Sequence, residues 1–258
     1  MKIILLIIET KRIPLPNSTS CMFSSPDTGA NLLKSEKWNQ IDWLTNAREL
    51  VNWIQERSSD DRIMLFLRHS HREVIKDHSE QFNTGLTDLG KNMAYEMGTR
   101  LPTNFPTKIW FSFVPRCYET AEEISQAIEE RGGKIIEKDN LPILVAPEFN
   151  DEAVWENLQP DGKNVHEFVN KWAEGEFGNM IQNFDEYREI LLGDTLERLK
   201  KEETPMFHIH VTHDLAIMAL KRILVDEPLT SQDREPFLGG IGITIKIDGL
   251  EQFISKRI

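Results

Sequence analysis

Apolar positions along this chain follow two periods. Trp38, Ile41, Leu44, Ala47, Leu50, Val51 and Ile54 recur at three- and four-residue intervals, which predicts a helix from about Lys37 to Arg57, ended by Ser58-Ser59-Asp60-Asp61. Met64-Leu65-Phe66-Leu67 is a continuous apolar run, as expected of a strand covered on both faces, so Arg62 to Leu67 reads as a strand. Helical spacing returns at Leu89, Met93, Met97 and Leu101 behind Thr87, a good N-cap, and Pro102 and Pro106 end that helix. A second strand, Lys108 to Phe113, runs into a helix through Thr120-Ala121, Ile124 and Ile128 to Gly132-Gly133. Ile135-Ile136 and Ile143-Leu144-Val145 are short apolar pieces that suit edge strands. Helices over Asn164 to Ala173 and Asn179 to Lys201 make Pro147 to Glu203 a helical excursion between core strands. Met206 to Thr212 alternates: Phe207, Ile209 and Val211 face one way, His208 and His210 the other. It leads into a helix through Leu215, Met218, Ala219, Ile223 and Leu224. Gly239 to Ile247 and Gln252 to Ile254 read as closing strands joined at Asp248-Gly249. Ile3 to Ile8 reads as a strand or an irregular extension, and Ile13 to Ser35 as loop.

Strand–helix alternation predicts an α/β fold, a three-layer α/β/α sandwich with a mostly parallel central sheet. Residues 1–61 are expected to form an extension packed on a core of residues 62–258, one domain overall. Composition adds little, since 40% hydrophobic and 28% charged residues are usual for a globular chain. The net charge of −12 argues against nucleic acid and anionic membrane surfaces as partners. The apolar run at Ile3 to Ile8 is too short for a membrane span or a signal peptide. Two cysteines, Cys21 and Cys117, make no disulfide framework, so a cytoplasmic location is expected.

Three predicted strand ends carry chemistry: Arg68-His69-Ser70-His71-Arg72, then Arg116, then His213-Asp214. Ligand sites of open α/β sheets lie beyond the carboxyl ends of strands, so these residues are expected to meet in one pocket. Clustered arginines suit a multi-oxygen anion such as phosphate. A neutral imidazole among them can attack phosphorus. Arg116, before a helix N-terminus, is equally well read as a partner of Glu119 or Glu123.

With Leu86-Thr87-Asp88-Leu89-Gly90 and Arg116 before Thr120-Ala121, these motifs stand in the order of the histidine phosphatase superfamily. The chain resembles that superfamily, the phosphoglycerate mutase and acid phosphatase fold, from about Arg62 to Gly249. The resemblance implies a catalytic domain over residues 62–258 and a metal-independent phosphatase that takes a small phosphorylated substrate and needs no cofactor. His69 would form a phosphohistidine, and Arg68, Arg116 and His213 would complete the phosphate pocket. Arg72 matches an extra arginine of the acid phosphatase branch, where an aspartate in the position of Asp214 protonates the leaving group. In the mutase branch a loop glutamate does so, and Glu148 is the nearest candidate, with Glu152 behind it. Ser70 stands where the family has glycine and could donate to phosphate. The mutase-type Gly-Glu and asparagine after the first motif are missing, which counts against a phosphoglycerate mutase.

Other readings remain. A mutase-type phosphotransferase shares the motifs. A metal-dependent hydrolase could use the strand-spaced pairs His69-x-His71 and His208-x-His210, although Arg68, Arg72 and Arg116 would repel a cation. A non-catalytic phospho-ligand-binding relative is the third. His208 and His210 are expected beneath the site, His71 at its rim, and His78 and His166 at the surface.

Overall fold

The computed structural model describes residues 35–75, 80–158, 160–246 and 249–254. Ile3 to Ile8, residues 13–34, His78 and Asp248 therefore lie outside the described residues. Among the described residues the central sheet has six strands: β1 (Arg62–Arg68), β2 (Pro106–Phe111), β3 (Lys134–Asn140), β4 (Met206–Thr212), β5 (Gly240–Lys246) and β6 (Gly249–Ile254). Their order is β3-β2-β4-β1-β5-β6. β3, β2, β4 and β1 run parallel, and β5 and β6 close the sheet antiparallel. The mostly parallel sheet is thus as expected.

Helices cover the two faces, among them α1 (Thr45–Gln55), α2 (Asp88–Gly98), α3 (Pro115–Glu130), α4 (Val165–Ala173), α5 (Phe184–Asp194), α6 (Leu196–Lys200) and α7 (Asp214–Val225). The pleat of β1 explains the layers. Ile63, Leu65 and Leu67 pack with α1, α2 and α3, while Met64 and Phe66 pack with α4, α5, α6 and α7. All five are fully buried, each worth about 1.5–3 kcal/mol of burial. No helix among the described residues is long and apolar enough to cross a membrane.

Four predicted elements differ. The helix expected over Lys37 to Arg57 breaks at Ile41, whose backbone is extended. Arg48 takes the carbonyls of Trp38 and Ile41 at 2.7 and 3.0 Å, replacing the amides that would continue the helix. Ile143 to Val145 is not a strand: Pro142 opens a short 3₁₀ turn over Pro142–Leu144. The helix expected over Asn179 to Lys201 starts only at Phe184, where the Asn183 side chain caps it. It then breaks at Thr195, whose hydroxyl donates to the Leu191 carbonyl at 2.6 Å. The second strand begins at Pro106, a position where a missing N–H does least harm.

Candidate active site

The carboxyl ends of β1 and β4, and the starts of α3 and α7, meet in a cleft of about 140 Å³. The β1 chain passes its last residue, Arg68, and delivers His69 between β4 and the start of α3. The His69 amide donates to the Thr212 carbonyl at 2.9 Å, which fixes the backbone there. Its ring Nδ1 lies 2.8 Å from the Ser70 carbonyl, so Nδ1 carries the proton. Nε2 is left with a lone pair, and it accepts from Arg116 Nε at 3.2 Å. Burial pushes the His69 pKa well below its ordinary value, and Arg116 and Arg68 add to the shift. The ring is therefore neutral at physiological pH, the form that can attack phosphorus.

Arg116 knits the site together. Besides His69 it reaches the Gln81 carbonyl at 2.5 Å and His213 Nδ1 at 3.1 Å. Because the guanidinium only donates, His213 Nδ1 is an acceptor, and Nε2 carries its proton to Ser112 Oγ at 2.9 Å. His213 is likewise held neutral, by burial first and by Arg116 next. Burial also brings Arg116 down to about 10, which still leaves it charged at neutral pH.

Asp214 opens α7 and faces two guanidiniums, Arg68 at 3.1 Å and Arg234 at 2.7 Å. Burial alone would raise its pKa, but Arg68 and Arg234 outweigh burial and bring it to about 2. Arg72 extends into the cleft and meets Asp161 Oδ1 at 3.3 Å. Two guanidinium N–H groups, Arg68 Nε and Arg72 Nε, are buried without a hydrogen-bond partner among the described residues. A buried unsatisfied donor is costly, and an anion's oxygens would remove that cost. The N-termini of α3 and α7 favour negative charge in the same place.

The structure brings together His69, Arg72, Arg116, His213 and Asp214, with Arg68 directly behind Asp214. It does not bring Ser70 or Glu148 to them. The Ser70 hydroxyl donates to the Gly90 carbonyl at 2.7 Å, and its amide takes Thr120 Oγ1. That turn is possible because Gly90 carries no side chain: a Cβ there would come within 2.1 Å of the His71 carbonyl. Glu148 is exposed, and its backbone pairs with Gln182. Glu152 is also exposed, so Asp161 and Asp214 are the carboxylates that line the cleft among the described residues. Nor do the His-x-His pairs converge. His71 turns to Thr87 and stacks on Trp43, while His208 and His210 lie down β4 against Trp110, with His208 on Glu202.

Four further residues support the site. Arg234 holds Asp214, and Phe237 packs beneath Arg68 and His69 at 4.7 and 5.6 Å. Glu235 accepts from Arg68 Nη1 through its carbonyl at 2.7 Å. Its buried carboxylate pairs with buried Lys221 at 2.5 Å and accepts from Asn46 of α1 at 2.9 Å. Gly162 lets its loop close on the site: with φ at +63°, a Cβ there would lie 3.1 Å from Asp214 Oδ2.

A family profile described as the histidine phosphatase superfamily (branch 1) matches residues 64–245. Among solved structures, YhfR of Bacillus stearothermophilus superposes with a TM-score of 0.51 at 20% identity, covering 76% of this chain and 97% of that one. An Escherichia coli K-12 protein, provisionally described as an alpha-ribazole-5'-P phosphatase, gives 0.50 at 15% identity, covering 76% and 96%. Phosphoglycerate mutase from Bacillus anthracis gives 0.48 at 16% identity, covering 78% and 95%. At these identities the likeness is one of fold. No curated protein sequence matches the chain.

Proposed function

Since this chain belongs to the histidine phosphatase superfamily, we propose that it hydrolyses phosphomonoesters through a phosphohistidine on His69. One observation carries this reading: Nε2 of a neutral, buried His69 holds its lone pair on Arg116 in a cleft where buried guanidinium donors lack partners among the described residues, and Arg116 would release that lone pair on turning to the phosphoryl oxygens. A phosphoryl group seated there would take its equatorial hydrogen bonds from Arg72, Arg116 and Arg68. Attack by Nε2 leaves the positive imidazolium with its Nδ1 proton on the Ser70 carbonyl, which stabilises that charge. No step calls for a metal.

Asp214 handles the leaving group's proton in this scheme. Paired with Arg68 and Arg234 it is ionised, so it must gain a proton before it can give one. Phosphate drawing Arg68 away, and adding negative charge beside it, shifts Asp214 in that direction. In the second half, water attacks the phosphohistidine and the Asp214 carboxylate accepts its proton. The products are inorganic phosphate and neutral His69.

The test is p-nitrophenyl phosphate hydrolysis in excess chelator, with wild type beside His69→Ala. Retained activity in wild type and a loss of at least ~10³-fold in the variant are expected. A fully active variant refutes the nucleophile. The ionised Asp214 also favours a second reading, a phosphate-binding protein without turnover. Tight phosphate binding with no phosphoenzyme and no hydrolysis would select it.

A further inference from the structure

Around His69, the floor of the cleft is cationic, with Arg116 on His69 and His213 and Arg68 on Asp214. Its walls differ. They include Ile75 and Phe82, from the chain that follows β1. Further along the chain come Val145, then Trp155 and Leu158 from the helical excursion, and Leu215 at the start of α7. Trp155 stacks on Phe149 with ring centroids 4.0 Å apart and planes at 23°, which fixes the indole in the lining of the cleft. Phe82 is 48% exposed, a large apolar ring at the mouth. The polar groups on these walls are already engaged: the Gln81 carbonyl takes Arg116, and the Asp161 carboxylate takes Arg72.

A phosphomonoester has two parts with opposite demands. The phosphoryl group needs the cationic floor. The alcohol must then lie between the walls. A polyhydroxylated alcohol would lose water there and meet apolar carbon, which costs free energy for each unpaired hydroxyl. An aromatic or other flat apolar alcohol would instead bury surface against Trp155 and Phe82.

We infer that the substrate is a phosphomonoester of an apolar, aromatic alcohol, docked with its ring between Trp155 and Phe82. This rests on the phosphatase reading and adds a substrate class to it. In the transfer, the bond from His69 Nε2 to phosphorus forms as the phosphorus–oxygen bond to the alcohol breaks. That oxygen leaves with the bonding pair and takes one proton. Water then forms the new phosphorus–oxygen bond, the phosphorus–nitrogen bond breaks, and phosphate and the free alcohol result.

Benzyl phosphate and glycerol 3-phosphate test this cleanly, because both release a primary alkoxide and differ mainly in apolar character. Phosphate release would be followed for the full chain in chelator. Benzyl phosphate is expected to show at least tenfold higher kcat/KM, expressed chiefly in KM. Trp155→Ala and Phe82→Ala should each shrink that ratio at least threefold. If wild type turns over glycerol 3-phosphate as well as benzyl phosphate, and His69→Ala abolishes both, the aromatic assignment falls and the phosphatase reading stands. A wild-type preference untouched by either wall variant overturns the assignment as well. No release from these two esters or from p-nitrophenyl phosphate overturns both.

Discussion

Glu235→Gln is the substitution for which the structure sets the clearest expectation. Lys221 and Glu235 are 1% and 0% exposed at their side chains and lie 2.5 Å apart. Removing the negative charge leaves a buried ammonium that still donates to the Asp233 carbonyl at 2.6 Å. Breaking a buried pair from one side costs about 3–5 kcal/mol. For a chain of this size each kcal/mol moves Tm by about 2–4 °C, so the midpoint should fall by about 6–20 °C. Glutamine keeps an acceptor for Asn46, so the loss isolates the charge. The double variant Lys221→Met with Glu235→Gln removes both charges and should recover most of the stability. Circular dichroism melts of the four proteins of this cycle provide the measurement. Activity adds a second readout, because the Glu235 carbonyl and Phe237 both hold Arg68: the single variant should also lose kcat/KM. A Glu235→Gln midpoint within about 2 °C of wild type, or a double variant as unstable as the single ones, would refute the reasoning.

Acid should destabilise the protein steeply. His69, His208, His210 and His213 are all held below their ordinary pKa by burial, His208 at about 4, so the unfolded chain binds protons that the folded one refuses. Their contribution is complete above about pH 6.5 and is lost as pH falls towards the folded values, at up to ~1.4 kcal/mol per pH unit for each histidine. Urea titrations at pH 7.5 and 5.5 measure this, His210→Phe should lower the slope by one proton, and equal stability at both pH values would contradict it. Asp214→Asn removes the anion that competes for Arg68 and Arg234. Inorganic phosphate should then inhibit more tightly while kcat falls about 10²-fold or more, and weaker phosphate inhibition would argue against a shared site. Gly162→Ala forces a side chain into a left-handed residue beside Asp214. It should cost about 1 kcal/mol and reduce kcat/KM, and an unchanged kcat/KM would show that this loop does not shape the site.

The sheet and the floor of the site were legible because each rests on regular structure. Buried runs and two-residue alternation identified β1 and β4, and their ends located His69 and His213. Arg234, Glu235 and Phe237 carried no such signal. They sit between α7 and β5, where no periodicity tells which side chain turns inward, and their partners Asp214, Lys221 and Arg68 come from other elements. Asp161 is hidden likewise, in a turn with φ at +59°. Glu148 illustrates the converse. Counting along the chain put a carboxylate near the site, but Phe149 bridges to Ile181 and the Glu148 side chain is left in solvent. Ser70 turned away for a reason visible only in three dimensions, the close passage of α2 at Gly90.

The strand order has a consequence for biosynthesis. β1 pairs with β4 and β5, so its first sheet partner, Met206, follows Arg68 by about 140 residues. At translation rates of about 5–20 residues per second, the segment Ile63-Met64-Leu65-Phe66-Leu67 waits some 7–28 seconds for that partner. During this interval a strand destined for the middle of the sheet has both edges unpaired, and it is the segment most in need of shelter by a chaperone. Ribosome-bound chains ending before Met206 should be cleaved readily by protease near β1, and chains carrying β5 in full should resist.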